Sequence, residues 1–235
     1  MFAQVSALRR HPSFVIGTPG RLKDLATRKM FDLSFFNNVV LDEVDRMLDM
    51  GFIADIKHIV NSTNPKRQSL FFSATMPPKI KELASQFLRE PITIEIRSGV
   101  TADNVEQDVI RVKDKTLKFQ ELKNLLITPG LDKVLIFAET KHGVERLAKD
   151  LIRDGFKAES IHGDKRQSQR QRALTLFRSN QIKVLVATDV AARGLDIKDI
   201  THVINYTIPQ THSDYIHRIG RTGRGDKKGK AFTFI

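Results

Sequence analysis

Six short apolar runs, at 14–16, 38–41, 69–72, 134–137, 183–187 and 202–205, alternate with longer stretches of helical period. An apolar run of that length fits a strand covered on both faces, and the stretches between are long enough to cross back over it as helices. The pattern predicts βα units and parallel sheets, an α/β fold. Two helical stretches are explicit. In 141–154, Val144, Leu147, Ala148, Leu151 and Ile152 share one face, and Ala173, Leu174 and Phe177 do so after Gln167.

The segment 97–106, RSGVTADNVE, is small, polar and aperiodic, and reads as a linker between residues 1–96 and 107–235. The first part holds three candidate strands, too few for a well-covered parallel sheet, so it is expected to be the C-terminal part of a larger domain. The second part reads as nearly complete, with the closing AFTFI expected inside its last strand.

Charge and composition narrow the function. The net charge of +12 raises the local concentration of polyanions, nucleic acid above all, although a solvated basic surface has the same composition. No apolar run approaches the roughly 18–20 residues of a bilayer span, and the opening MFAQVSALRRHP has no signal-peptide core. Without cysteine there is no disulfide framework and no thiolate metal site, which fits a reducing cytoplasm.

Several segments carry residues suited to phosphate chemistry. In VVLDEVDRMLDMGF, Asp42 and Glu43 fall just past an apolar strand, where ligands bind in open α/β sheets. Asp42 is placed to hold a hydrated Mg²⁺, and Glu43 to assist it and to orient and deprotonate a water. An acidic cluster there equally caps the next helix. Ser73, Ala74 and Thr75 follow the strand SLFF, where hydroxyls can meet a carboxylate such as Asp45 or serve as turn residues. Thr18, Pro19, Gly20 and Arg21 open a helix, whose N-terminus suits a phosphate or is simply capped by Thr18. Gln167 and Arg170 open another after His162-Gly163-Asp164, with Arg170 on a phosphate or in solvent. Thr188, Asp189, Arg193, Gly194 and Asp196 lie in the turn after VLVA, where Arg193 and Asp196 can also pair locally.

YIHRIGRTGRGDKKGK is the most specific segment. His217, Arg221 and Arg224 recur at spacings of four and three, which places them on one face of a helix. Arg221 and Arg224 there suit the stabilisation of a transferring phosphoryl group. The interleaved Gly220, Gly223 and Gly225 let backbone approach closely or leave the helix.

Taken in order, TPGR, DEVD, SAT, a VLIF strand, HGD with QSQR, ATDVAARGLD and HRIGRTGR resemble the DEAD-box ATP-dependent RNA helicases, bacterial branch, over essentially the whole chain. The resemblance implies two RecA-like parallel-sheet domains, the first incomplete here, with ATP and Mg²⁺ in the cleft between them and RNA across both. It implies Mg²⁺ and water at Asp42 and Glu43, and coupling of hydrolysis to domain closure through Asp45, Ser73, Ala74 and Thr75. By the same resemblance, Gly194 and Asp196 belong to the nucleotide site, Asp196 at the ribose. Arg221 and Arg224 reach the phosphates, and His217 bridges toward the acidic motif. Thr18, Gly20, Arg21, Gln167, Arg170, Thr188, Arg193 and Gly194 are the implied contacts to RNA, single-stranded or in short duplexes. Ribosome-assembly or RNA-decay factors are the implied partners, in the cytoplasm and away from membranes.

Two departures stand out. Val44 occupies the position where the family usually has Ala. The phosphate-binding G-x-x-x-x-G-K-[ST] loop is not in this sequence: GRGDKKGK would need Gly at Arg224, and Ala231 follows Lys230. The chain is therefore expected to be a fragment, inactive as an ATPase in isolation, of a protein that couples ATP hydrolysis to duplex unwinding or RNP remodelling. The other expectation is a non-catalytic RNA-binding module or partner platform.

Overall fold

The computed structural model describes residues 2–95, 104–192, 197, 199–225 and 227–235. It divides into two compact units, Met1–Ile94 and Glu95–Ile235. The first unit contains α1 (Phe2–Leu8), α2 (Pro19–Thr27), β1 (Asn38–Leu41), α3 (Val44–Asp49), α4 (Ile53–Ser62), β2 (Gln68–Phe71) and α5 (Pro78–Phe87). β1 and β2 pair in parallel, Asn38 opposite Gln68 and Leu41 opposite Phe71. Ile56 and Val60 of α4 and Ile80, Leu83 and Phe87 of α5 close a core over Leu41 and Val44.

The second unit contains β3 (Val105–Ile110), α6 (Lys118–Leu126), β4 (Val134–Phe137), α7 (Lys141–Arg153), β5 (Ala158–Ile161), α8 (Gln167–Arg178), β6 (Val184–Ala187), α9 (Asp189–Ala192), β7 (His202–Asn205), α10 (His212–Ile219) and β8 (Gly229–Phe234). Its sheet is ordered β3-β8-β7-β4-β6-β5, and every pairing in it is parallel. All four residues of β4 and of β6 are buried, as strands covered on both faces must be. Alternate residues serve opposite cores. Leu135 and Phe137 pack with Phe177 of α8 and Ile219 of α10, while Val134 and Ile136 pack with Leu122 of α6 and Leu147 of α7.

Three sequence expectations change. Residues 14–16 are not a strand: Phe14 and Ile16 are 85% and 96% exposed, and no described residue pairs with them. An apolar run becomes a strand only where a neighbour completes its ladder. The segment 97–106 is not linker to its end, because Val105 and Glu106 already pair with Gly229 and Lys230. The third change concerns the arginines after α10 and is described with the site.

α7 and β5 are joined by one carboxylate. Glu145 Oε2 accepts the Ser160 hydroxyl at 2.6 Å and lies 3.3 Å from His162 Nε2 and 3.4 Å from Lys165 Nζ. The Ser160 hydrogen bond, with help from His162 and Lys165 and against partial burial, holds the Glu145 carboxyl at about 2. A depressed carboxyl stabilises the fold above its unfolded value near 4.5, and that contribution fades as pH falls toward 2.

Two outcomes follow for stability. Glu145→Gln is expected to reduce the difference in unfolding free energy between pH 6 and pH 3, measured by urea titration at each pH. Phe177, with no exposed surface, is expected to cost about 3–5 kcal/mol when cut to Ala, read from the same titrations at neutral pH.

Candidate functional site

In the first unit, β1 ends at Leu41 and two acidic residues, Asp42 and Glu43, turn the chain into α3. Phe72 N–H donates to Leu41 O at 2.8 Å and Val44 N–H to Phe72 O at 3.1 Å, so this turn is tied to the end of β2. Asp42 is exposed at the carboxyl end of β1, where its Oδ1 accepts the Glu43 N–H at 2.9 Å. Glu43 is left-handed, φ 52 and ψ 50, a conformation costing about 1–2 kcal/mol outside glycine. Its carboxylate accepts Arg46 Nη1 at 3.0 Å.

Asp45 turns inward and is 3% exposed. Its Oδ2 accepts both the N–H and the hydroxyl of Thr75, at 2.9 and 2.8 Å, and its own N–H donates to Ser73 Oγ at 3.2 Å. Ser73 in turn donates to Thr75 O at 2.7 Å. Asp45, Ser73 and Thr75 therefore form one network, with Ala74 exposed at the bend between the hydroxyls. Val44 points the other way, 1% exposed in the core of the unit, so its extra methyls over Ala fill core and not site.

Thr18 opens α2 in an extended conformation with Pro19 in the first turn. Its side chain makes no cap hydrogen bond. Gly20 sits beside Asp55, whose Oδ2 would be 3.4 Å from an added Cβ. Arg21 is already engaged, with Nη1 on Asp24 at 2.9 Å and Nε on Gln4 at 3.1 Å.

In the second unit the segments after β5, β6 and β7 carry the remaining candidates. Thr188, directly after β6, donates its N–H to Ile161 O at 3.3 Å and accepts Ala192 N–H at 2.9 Å. Gln167 is exposed and Arg170 partly buried in the first turn of α8, and Arg170 Nε is buried without a hydrogen-bond partner among the described residues. Arg193, Gly194 and Asp196 lie outside the described residues.

His217 lies in α10, but Arg221 and Arg224 do not continue that helix, as their spacing suggests. α10 ends at Ile219, with Gly220 as its cap. The 1%-exposed Thr222 donates its hydroxyl to Ile200 O at 2.6 Å, and Gly223 takes φ 66, where a Cβ would come 2.6 Å from Val105. Anchored by Thr222 and turned by Gly223, the chain leaves the helix. The arginines fold back over the helix end: Arg221 Nε donates to His217 O at 3.3 Å and Arg224 Nε to Gly220 O at 2.9 Å.

Sequence reasoning missed the residue that ties this segment together. Arg218, 3% exposed, makes a two-pronged pair with Asp189, Nε to Oδ1 and Nη2 to Oδ2, both at 2.7 Å. Its Nη1 donates to Thr207 O at 2.7 Å and to Asn205 Oδ1 at 3.3 Å, and its guanidinium stacks over Phe137 at 5.1 Å. The available signal was Asn205, a polar residue closing the apolar strand HVIN.

Among the described residues no three His, Cys, Asp or Glu side chains converge as a metal cage. Asp42 still suits Mg²⁺, which keeps several waters and takes only one or two carboxylates beside phosphate oxygens.

Two family models match: DEAD/DEAH box helicase over residues 2–83, and helicase conserved C-terminal domain over residues 117–226. The chain is 45% identical over 99% of its length to the ATP-dependent RNA helicase CshA of Limosilactobacillus reuteri, of which it covers 47%. It is 46% identical, over the same shares, to the DEAD-box ATP-dependent RNA helicase CshA of Bacillus subtilis. It thus spans about half the length of these relatives. Among solved structures, S. cerevisiae Dbp5 bound to RNA and ADP BeF3 matches at 33% identity and TM-score 0.82, over 94% of this chain and 58% of that one. Both of its units are RecA-like, and the chain belongs to the DEAD-box helicase family.

Proposed function

We propose that this chain is part of an ATP-dependent RNA helicase that grips RNA by its backbone and couples ATP hydrolysis to local duplex opening or RNP remodelling. The observation that carries this reading is the acidic turn: Asp42 exposed at the carboxyl end of β1 while Asp45 is locked onto Ser73 and Thr75. An acidic helix cap would need no second carboxylate buried against the next strand's hydroxyls. The identity with ATP-dependent relatives supports the same reading.

In this reading Asp42, with Glu43 beside it, holds hydrated Mg²⁺, which neutralises phosphate charge when bound. Glu43 orients the attacking water and takes its proton. Asp45, Ser73, Ala74 and Thr75 relay nucleotide state to the rest of the first unit, and His217 does so from the second. Arg221 and Arg224 supply charge to the transferring phosphoryl group, with their stems already ordered by the helix-end carbonyls. Gly194 and Asp196 complete the nucleotide contacts. Thr18, Gly20, Arg21, Gln167, Arg170, Thr188, Arg193 and Gly194 meet the RNA backbone, so little sequence preference is expected. The Arg218–Asp189 pair keeps the Thr188 segment and the arginine segment in one register. We place the protein in the cytoplasm, in ribosome assembly or RNA decay. No helix among the described residues is long and apolar enough to cross a membrane.

The test is paired, on the full-length gene product: steady-state ATPase with RNA, and nucleotide-free RNA affinity. Glu43→Gln keeps shape and hydrogen-bonding reach, so RNA affinity is expected to persist while turnover collapses. Arg221→Ala and Arg224→Ala are each expected to lower turnover by about 10³-fold or more and to leave nucleotide-free RNA affinity near wild type. Near-normal turnover with lost RNA binding would move the arginines to the RNA face.

A further inference from the structure

Arg224 stands between two glycines, Gly223 and Gly225, both with positive φ, 66 and 63. Glycines bring no side-chain packing of their own, so the direction of Arg224 depends on what holds the backbone on either side of it. Arg224 is exposed, and its Nε contact to Gly220 O is local to the same segment. An arginine that serves a transferring phosphoryl group must be aimed closely, since a misplacement of about 1 Å costs about 10²-fold in rate.

The hold comes from the start of β3, far away in sequence. Val105, 4% exposed, lies so close to Gly223 that a Cβ there would come 2.6 Å from Val105 Cγ2 and 3.2 Å from Asn104 O. On the other side of Arg224, Asn104 Nδ2 donates to Gly225 O at 3.2 Å, across 121 positions of sequence. Asn104 is itself pinned: its carbonyl accepts the Gly229 N–H at 2.9 Å, where β8 begins its pairing with β3. Two residues into β3, Gln107 Oε1 accepts the Tyr215 hydroxyl at 2.5 Å, which ties the same strand to α10 ahead of the arginines. Asn104 and Val105 thus grip both neighbours of Arg224. The grip on Gly223 is steric. The grip on Gly225 is one neutral hydrogen bond at the surface, a kind of contact that adds modest stability but fixes a direction.

We propose that Asn104 is a positioning residue for ATP hydrolysis: by holding the Gly225 carbonyl it sets the backbone from which Arg224 reaches the transferring phosphoryl group. This rests on the phosphate-binding reading of Arg224. Asn104 is the first described residue after Glu95, so the chain arriving from the first unit is fastened to the arginine segment where it joins the second. Aim is separable from stability. A loosened Arg224 serves the transition state less well, so the chemical step slows while RNA binding without nucleotide is untouched. Residues that act through one another also fail to add, so losing Asn104 costs nothing further once Arg224 is gone.

The experiment uses the full-length gene product and single-turnover hydrolysis of radiolabelled ATP at saturating RNA. Nucleotide-free affinity for a fluorescein-labelled oligouridine strand and thermal midpoints are measured in parallel. Asn104→Ala is expected to slow hydrolysis about tenfold, with RNA affinity and midpoint near wild type. Asn104→Asp, equal in size but with no N–H to donate, is expected to slow it at least as much. In an Arg224→Ala background, Asn104→Ala is expected to change the rate by no more than about twofold. If Asn104→Ala and Asn104→Asp hydrolyse ATP like wild type while Arg224→Ala is slow, the positioning role is overturned and the phosphate reading stands. If Arg224→Ala is itself near wild type, the phosphate reading falls and the role of Asn104 with it. If Asn104→Ala slows hydrolysis by the same factor in both backgrounds, Asn104 is structural and positions nothing for Arg224.

Discussion

One ion pair, between buried Arg218 and partly exposed Asp189, organises the second unit. Arg218 donates through all three guanidinium nitrogens, to Asp189, Thr207 and Asn205, from a site only 3% exposed. Such a pair contributes little net stability over apolar packing, because desolvation offsets most of the Coulomb attraction. Removing Asp189 is another matter, since it leaves the Arg218 charge buried and unmatched at a cost of about 3–5 kcal/mol. The pair therefore specifies position more than it adds stability. It fixes α9, which follows Thr188, against α10, which precedes Arg221 and Arg224. From Asn205 on β7 the hydrogen bonds continue to Thr233 at 3.1 Å on the neighbouring strand β8.

The first unit solves the same problem with a carboxylate. Asp45 joins the turn after β1 to the turn after β2, thirty residues later, through Ser73 and Thr75. In both units, segments distant in sequence meet at the carboxyl ends of parallel strands and are locked by a nearly dry polar group. That location follows from the βα architecture, which gathers the strand-to-helix turns on one side of the sheet. Asp42 is exposed and Glu43 left-handed, whereas Asp45 is 3% exposed and held by Ser73 and Thr75.

Much of this was legible from residues alone. The buried strands VLIF and HVIN matched their predicted bounds because continuous apolar runs flanked by turns leave little choice. β5, with the sequence AESI, escaped notice because its serine and glutamate face Glu145 and Lys165, partners that only the folded chain supplies. The run at 14–16 misled because it has strand composition without a ladder partner. The arginine spacing after His217 was read as helix, yet Thr222 and Gly223 take the chain out of it, a tertiary effect that periodicity cannot register. The contact of Asp45 with Ser73 and Thr75 is legible because its partners are hydroxyls at a strand end. Arg218 was overlooked because a basic residue one position from a basic face looks like part of that face.

The Arg218–Asp189 pair ties the segment after Thr188 to that of Arg221 and Arg224, and in the proposed function this link couples the RNA contacts to the phosphate contacts. Its most direct test is RNA-stimulated phosphate release by the full-length protein in wild type, Arg218→Met, Asp189→Asn and the double variant. Each single substitution is expected to abolish most of the stimulation by RNA, and the double variant to lose little more than either. Losses that add independently, or stimulation that survives Arg218→Met in folded protein, would contradict it.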